Sequence, residues 1–167
     1  MTKNSIYVVL FSSAVLLFAL ITGLINHQRR SKREVATTYE AAIGALSYLQ
    51  EWAKWTSAVQ AAVLVAFGWF VKPDLSLTAE PAAIAFLIFT GTAMLCGAWL
   101  LSGIPSVRLR VGGRSGMKAP EPSTAYDIYE YPLYGAARWP PISYIINVHH
   151  WSWAAALFSL GGFVIGR

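Results

Sequence analysis

The chain has 167 residues, of which 56% are hydrophobic and only 13% charged, and its mean hydropathy is +0.48. Soluble domains carry roughly a quarter charged residues, so this composition excludes a disordered regulator and a free nucleic-acid-binding module and points to the bilayer as solvent. A single cysteine, Cys96, excludes a disulfide framework and a cysteine-based zinc site.

Residues 6–25 are uncharged and, as a helix, reach about 30 Å, the thickness of a hydrocarbon core. The run 27–33, rich in Arg and Lys, closes this stretch with no small-residue cleavage site, which favours an uncleaved anchor over a signal peptide. Residues 34–54 contain no proline, and Val35, Tyr39, Ala42, Leu46, Leu49 and Ala53 recur at alternating four- and three-residue spacing. They predict a cytoplasmic helix that continues into the second span, its seam packed against the chain's own second cytoplasmic segment, against headgroups or against another subunit. The second span, 55–71, reaches about 25 Å, the lower limit for crossing. Pro81 suits the first turn of a third helix over 82–101, which Gly103 and Pro105 are expected to end.

Beyond it, Val107-Arg108-Leu109-Arg110-Val111 alternates like a short strand, and 112–116 reads as a flexible loop. That loop lacks the spacing of a phosphate-binding motif. Pro120 and Pro122 precede Tyr126, Tyr129, Tyr131 and Tyr134, which read as an interfacial mat, with docking of a partner as the alternative. A fourth span follows Pro140-Pro141 over 142–165.

The expected fold is therefore an all-α integral membrane protein, one domain over 1–167 with transmembrane helices at about 6–25, 55–71, 82–101 and 142–165. Cytoplasmic segments at about 27–54 and 104–141 supply the helical extension of helix two and the Tyr-rich segment. Lys and Arg concentrate in these two segments. Their partition predicts an inner (plasma) membrane location with both termini extracytoplasmic, and it explains the net charge of +5 without nucleic acid.

Ion paths need ionisable partners within the membrane, yet the interiors of the first three spans hold none. Gln60 is the strongly polar exception, suited to an interhelical hydrogen bond or to the lining of a pore. His149 and His150 are the only pair with catalytic or metal-binding chemistry. Neighbours on a helix project about 100° apart, so they cannot chelate one ion from one face. No CxxCH, HExxH or acidic cluster accompanies them, which favours a hydrogen bond at headgroup depth over haem or metal ligation. Cys96 reads as a small buried hydrophobe. Small residues four apart recur in every span, as in Ala19 and Gly23, Ala58, Ala62 and Ala66, Ala93 and Gly97, and Gly162 and Gly166. Such pairs let helix backbones approach closely and mark Gly97 and Gly162 as packing positions.

A four-span chain of this size with both termini outside resembles, in layout, the microsomal glutathione transferase and leukotriene synthase superfamily. That family's Arg and Asn/Glu constellation at the start of helix two has no counterpart in Tyr39-Glu40-Ala41-Ala42-Ile43-Gly44, so membership is not implied.

The function expected from these features is non-catalytic: an oligomerising or accessory subunit of a membrane complex, without a cofactor. Its partners would be the bilayer and either further copies or other membrane subunits. Tyr39, Leu46, Leu49, Tyr126, Tyr129 and Tyr134 are the contact candidates. An oligomeric pore or membrane-disrupting effector with Gln60 in the opening is the first alternative. A membrane redox or lipid-modifying enzyme using His149 or His150 is the second.

Overall fold

Inward-facing residues at alternating three- and four-residue spacing make three of the helices one-sided. The computed structural model describes residues 3–30, 39–71, 80–113, 132–134 and 140–165. Those residues form four helices: α1 (Lys3–Arg30), α2 (Tyr39–Phe70), α3 (Pro81–Gly113) and α4 (Ile142–Ile165). Among the described residues there is no strand, only an isolated bridge between Pro132 and Pro141. Among the described residues one helical stretch, Pro81–Arg110, is long and apolar enough to cross a membrane, and Ser13–Asn26 is a shorter apolar stretch.

On α2 the buried seam is Ala42, Leu46, Leu49, Ala53, Gln60 and Phe67; on α3 it runs from Ala83 and Phe86 through Thr90, Ala93 and Leu100 to Ile104 and Val107. On α4 it is Ile142, Ile145, His149, Ser152, Ala156 and Phe163. A repeat near 3.5 residues keeps each seam turned to its neighbours along the whole helix. α3 packs on both α2 and α4, while α1 packs on α4 and α3. α2 and α3 come close at Gly97, where a Cβ would lie 2.8 Å from the Ser57 hydroxyl. α2 and α4 instead meet through ring side chains, Trp52 against His149 at 4.9 Å and Phe67 against Phe163 at 5.3 Å between centroids.

Helix α3 does not end at Gly103 and Pro105, and residues 107–111 are not a strand; the helix continues to Gly113 with Pro105 inside it. A proline within a helix costs about 3 kcal/mol. Ile104 and Val107 on either side of it are fully buried, and each such side chain contributes about 1.5–3 kcal/mol on leaving water. Burial therefore outweighs the broken backbone bond. The alternation that suggested a strand has no structural counterpart, because Leu109 is 78% exposed while Val107 faces the core.

Segment 132–134 is fastened to this extension. Leu133 fills the space over Gly103, where any Cβ would collide with its side chain. Arg110 Nη2 donates to the carbonyls of Pro132 at 2.6 Å and Leu133 at 3.0 Å, and Tyr134 shares a short hydrogen bond with Ser102. Across α2 and α3, Arg108 donates to Ser47 and to Gln50.

Two apolar clusters result. One joins Leu46, Leu49 and Ala53 to Leu100, Ile104, Leu133 and Ile145. The other joins Phe67 to Phe86, Phe89, Ala156 and Phe163.

Candidate functional site

Between the two clusters lies a polar layer, built by the same seam positions that elsewhere carry apolar residues. Gln60 from α2, Thr90 from α3 and Ser152 from α4 are 0% exposed, and His149 from α4 is 1% exposed. Gln60 Nε2 lies 2.9 Å from His149 Nε2. An amide nitrogen can only donate, so the imidazole Nε2 accepts and the proton of the neutral ring sits on Nδ1. Four buried polar atoms of the layer have no partner among the described residues: Gln60 Oε1, His149 Nδ1, Thr90 Oγ1 and Ser152 Oγ.

His150 faces the other way. Its Nδ1 lies 2.8 Å from the Ile146 carbonyl, which can only accept, so Nδ1 is the donor and Nε2 is directed away from the helix backbone. Its ring stacks on Trp52 at 5.2 Å and 21°. The two imidazoles are nearly perpendicular, 5.8 Å apart between centroids, an arrangement unsuited to one shared ion. Among the described residues no group of three or more His, Cys, Asp or Glu side chains is placed to hold a metal.

Trp52 separates the buried layer from an open cleft of about 550 Å³ lined by residues of α1, α2 and α4, among them Asn26, Tyr48, Ser143, Asn147 and His150. Its α1 side is pinned by Asn147, whose Nδ2 donates to the Ala19 carbonyl at 2.8 Å and to the Thr22 hydroxyl at 3.0 Å. The same contact seats Gly23 beneath Tyr144, where a Cβ would meet the ring at 2.8 Å. Pockets of this size accept a small ligand.

The residues singled out from sequence fall in several places. Gln60 and His149 come together in the core, where His149 occupies a seam position, whereas His150 of the same pair is exposed. Leu46 and Leu49 are buried against α3, α4 and Leu133 of the same chain. Gly97 is a close approach of α2 and α3, whereas Gly162 is exposed with open space around it. Tyr134 bonds within the chain. Tyr39 begins α2 but its side chain is outside the described residues, as are Tyr126 and Tyr129 altogether. Thr90 and Asn147 carry no sequence signal of their own, and Trp52 reads from sequence only as a boundary tryptophan and Ser152 only as a serine outside any nucleophile motif, although 90, 149 and 152 all lie on the seam spacing.

The described residues thus define an all-α, four-helix bundle with a polar layer in its core and a cleft beside it. Comparison with protein-family models, with curated proteins and with solved structures finds no match.

Proposed function

We propose that the chain is an integral inner-membrane protein, crossing four times with both termini outside the cytoplasm, and that it works without catalysis as an oligomerising or accessory subunit of a membrane complex. The observation that carries this reading is the inverted polarity of the bundle. Its uncharged polar groups Gln60, Thr90, His149 and Ser152 point inward, while Leu17, Trp55, Val65, Trp69, Leu95 and Phe158 are 57–88% exposed and come from all four helices. A surface of that kind is unfavourable in water and ordinary in hydrocarbon, where helices satisfy their own backbone.

The outer face of α2 supports association. Ala58, Ala62 and Ala66 are exposed at four-residue spacing between Trp55, 71% exposed, and Trp69, 88% exposed. Small side chains between large ones admit a second helix at close range.

Two measurements test the proposal. After Cys96→Ala, single cysteines at Ser5 and Arg167 are expected to react with an impermeant reagent in intact cells; labelling only after lysis overturns the topology. Native mass spectrometry from mild detergent is expected to show several copies, or a stable complex with other membrane chains. A protein extracted by alkaline carbonate, or a lone monomer at all concentrations, overturns the function.

A further inference from the structure

Hydroxyl side chains in these helices behave in two ways. Thr22, Thr56, Thr92, Ser102 and Ser159 each turn back to a carbonyl three or four residues earlier in their own helix, at 2.8–3.2 Å. This is the ordinary resort of a helical hydroxyl. Thr90 and Ser152 do not take it, although both are fully buried.

They lie in the layer that also holds His149 Nδ1 and Gln60 Oε1 without partners. The approach of Ser57 to Gly97 and the contact of Phe67 with Phe86 set the antiparallel register of α2 and α3, which puts Thr90, on the facing helix, about one turn along the bundle from the level of Gln60. Ser152 follows His149 by three residues, on the same face of α4. A buried polar atom left unmatched bears its full desolvation penalty. Four of the five such atoms among the described residues, all but Arg108 Nε, come from seam positions of three helices between the two apolar clusters.

The chemistry of the four atoms identifies what fits. In the neutral ring His149 Nδ1–H can only donate and Gln60 Oε1 can only accept, while the Thr90 and Ser152 hydroxyls do either. A bare cation is repelled by the Nδ1–H, and an apolar molecule satisfies none of the four. Water donates twice, accepts twice and is held stably by two to four polar partners.

We propose that Gln60, Thr90, His149 and Ser152 form a buried hydration site, in which water bridging α2, α3 and α4 accepts the Nδ1–H of His149 and donates to Oε1 of Gln60. The water makes the layer a connector between helices, and it keeps an imidazole solvated inside an otherwise apolar core.

The test uses the full chain in lipid nanodiscs with ¹⁵N-labelled histidine. His149 is expected as the Nδ1–H tautomer with an exchange cross-peak to water; a wild-type spectrum without that cross-peak overturns the site. Thr90→Val is nearly isosteric. It is expected to lower Tm by about 2–4 °C, and Ser152→Ala to do the same, because each removes a partner of the bridging water. A rise in Tm for Thr90→Val overturns the proposal, since deleting an orphaned hydroxyl from a dry site is favourable. Replacing sodium by choline is expected to leave Tm unchanged; a fall assigns the site to a cation and also overturns it. If the variants do not fold, the wild-type spectrum decides.

Discussion

Helix α1 and the three helices behind it are held by different means. α2, α3 and α4 share seams in which buried side chains interlock from end to end, with Phe86, Phe89, Leu46, Leu100 and Ile104 fully enclosed. α1 contributes little to that interior. Among its described side chains Ala19 and Gly23 are buried, while Leu10, Phe11, Leu17, Phe18, Ile21 and Leu24 are 48–60% exposed. It is attached through small residues and one asparagine instead of through a large apolar face. The difference teaches that apolar content and membership of a core are separate properties: α1 is greasy but peripheral, whereas α4 carries two histidines and an asparagine and lies at the centre. In a bilayer the apolar face of α1 needs no protein partner.

The largest effect expected from breaking this contrast is in the three-helix core. Leu46 is fully buried in the cluster that joins α2, α3, α4 and Leu133. Leu46→Asp removes its packing, about 2–5 kcal/mol by analogy with large-to-small core changes, and adds a carboxylate with no cationic partner in that cluster. Loss of the folded band in a detergent thermal-shift assay is the expected outcome. The parallel change Leu17→Asp on α1, at a site 57% exposed, is expected to leave the packing of α2, α3 and α4 intact and, on the proposed membrane reading, to alter insertion.

Next is the Leu133 plug. Gly103→Val drives a side chain into Leu133, and overpacking of this kind costs about 1–3 kcal/mol. Gly91→Val, on the same helix with nothing within 4 Å of the new atom, is the matched control and is expected to leave Tm unchanged. Equal effects of the two would show that 132–134 does not pack on α3 in solution.

The attachment of α1 gives a smaller, local effect. Gly23→Val pushes against Tyr144 and is expected to raise the hydrogen exchange of the α1 amides about tenfold, equivalent to roughly 1.4 kcal/mol. Amides of α3 are expected to keep their protection. Loss of protection in both helices together would mean that α1 belongs to the cooperative core.

These contrasts also explain what the sequence makes legible. The spacing of Ala42, Leu46, Leu49 and Ala53 is a local signal, readable because nothing in that run opposes a helix. The course of α3 past Pro105 is not local. Proline and Gly103 both argue for a break, and they are overruled by the burial of Ile104 and Val107 and by Leu133, which packs on Gly103 from thirty positions further along the chain. The place of His149 is not local either: no motif distinguishes it from His150, and only the neighbouring seam of α2, with Gln60, gives an imidazole a partner inside the bundle. Thr90 and Ser152 are the hardest to see. A helical hydroxyl normally bonds to its own backbone, so nothing in the residue type distinguishes these two from Thr92 or Ser159, which do.

The smallest expected effect sharpens the comparison at the polar layer itself. Gln60→Leu keeps the volume of the side chain and removes its hydrogen bond to His149. Interhelical hydrogen bonds within membranes contribute on the order of 1 kcal/mol, so Tm is expected to fall by about 2–4 °C. His149→Leu alone is expected to fall similarly, because it leaves the Gln60 amide unmatched. The two changes together remove donor and acceptor at once, and replacing both partners by apolar groups is close to neutral. The double variant is therefore expected to regain most of the loss, a coupling of about 1 kcal/mol between positions in direct contact. Additive losses would mean that Gln60 and His149 act separately, each through its own surroundings on α2 and α4, and that the pair is not what joins those helices across the gap between their backbones.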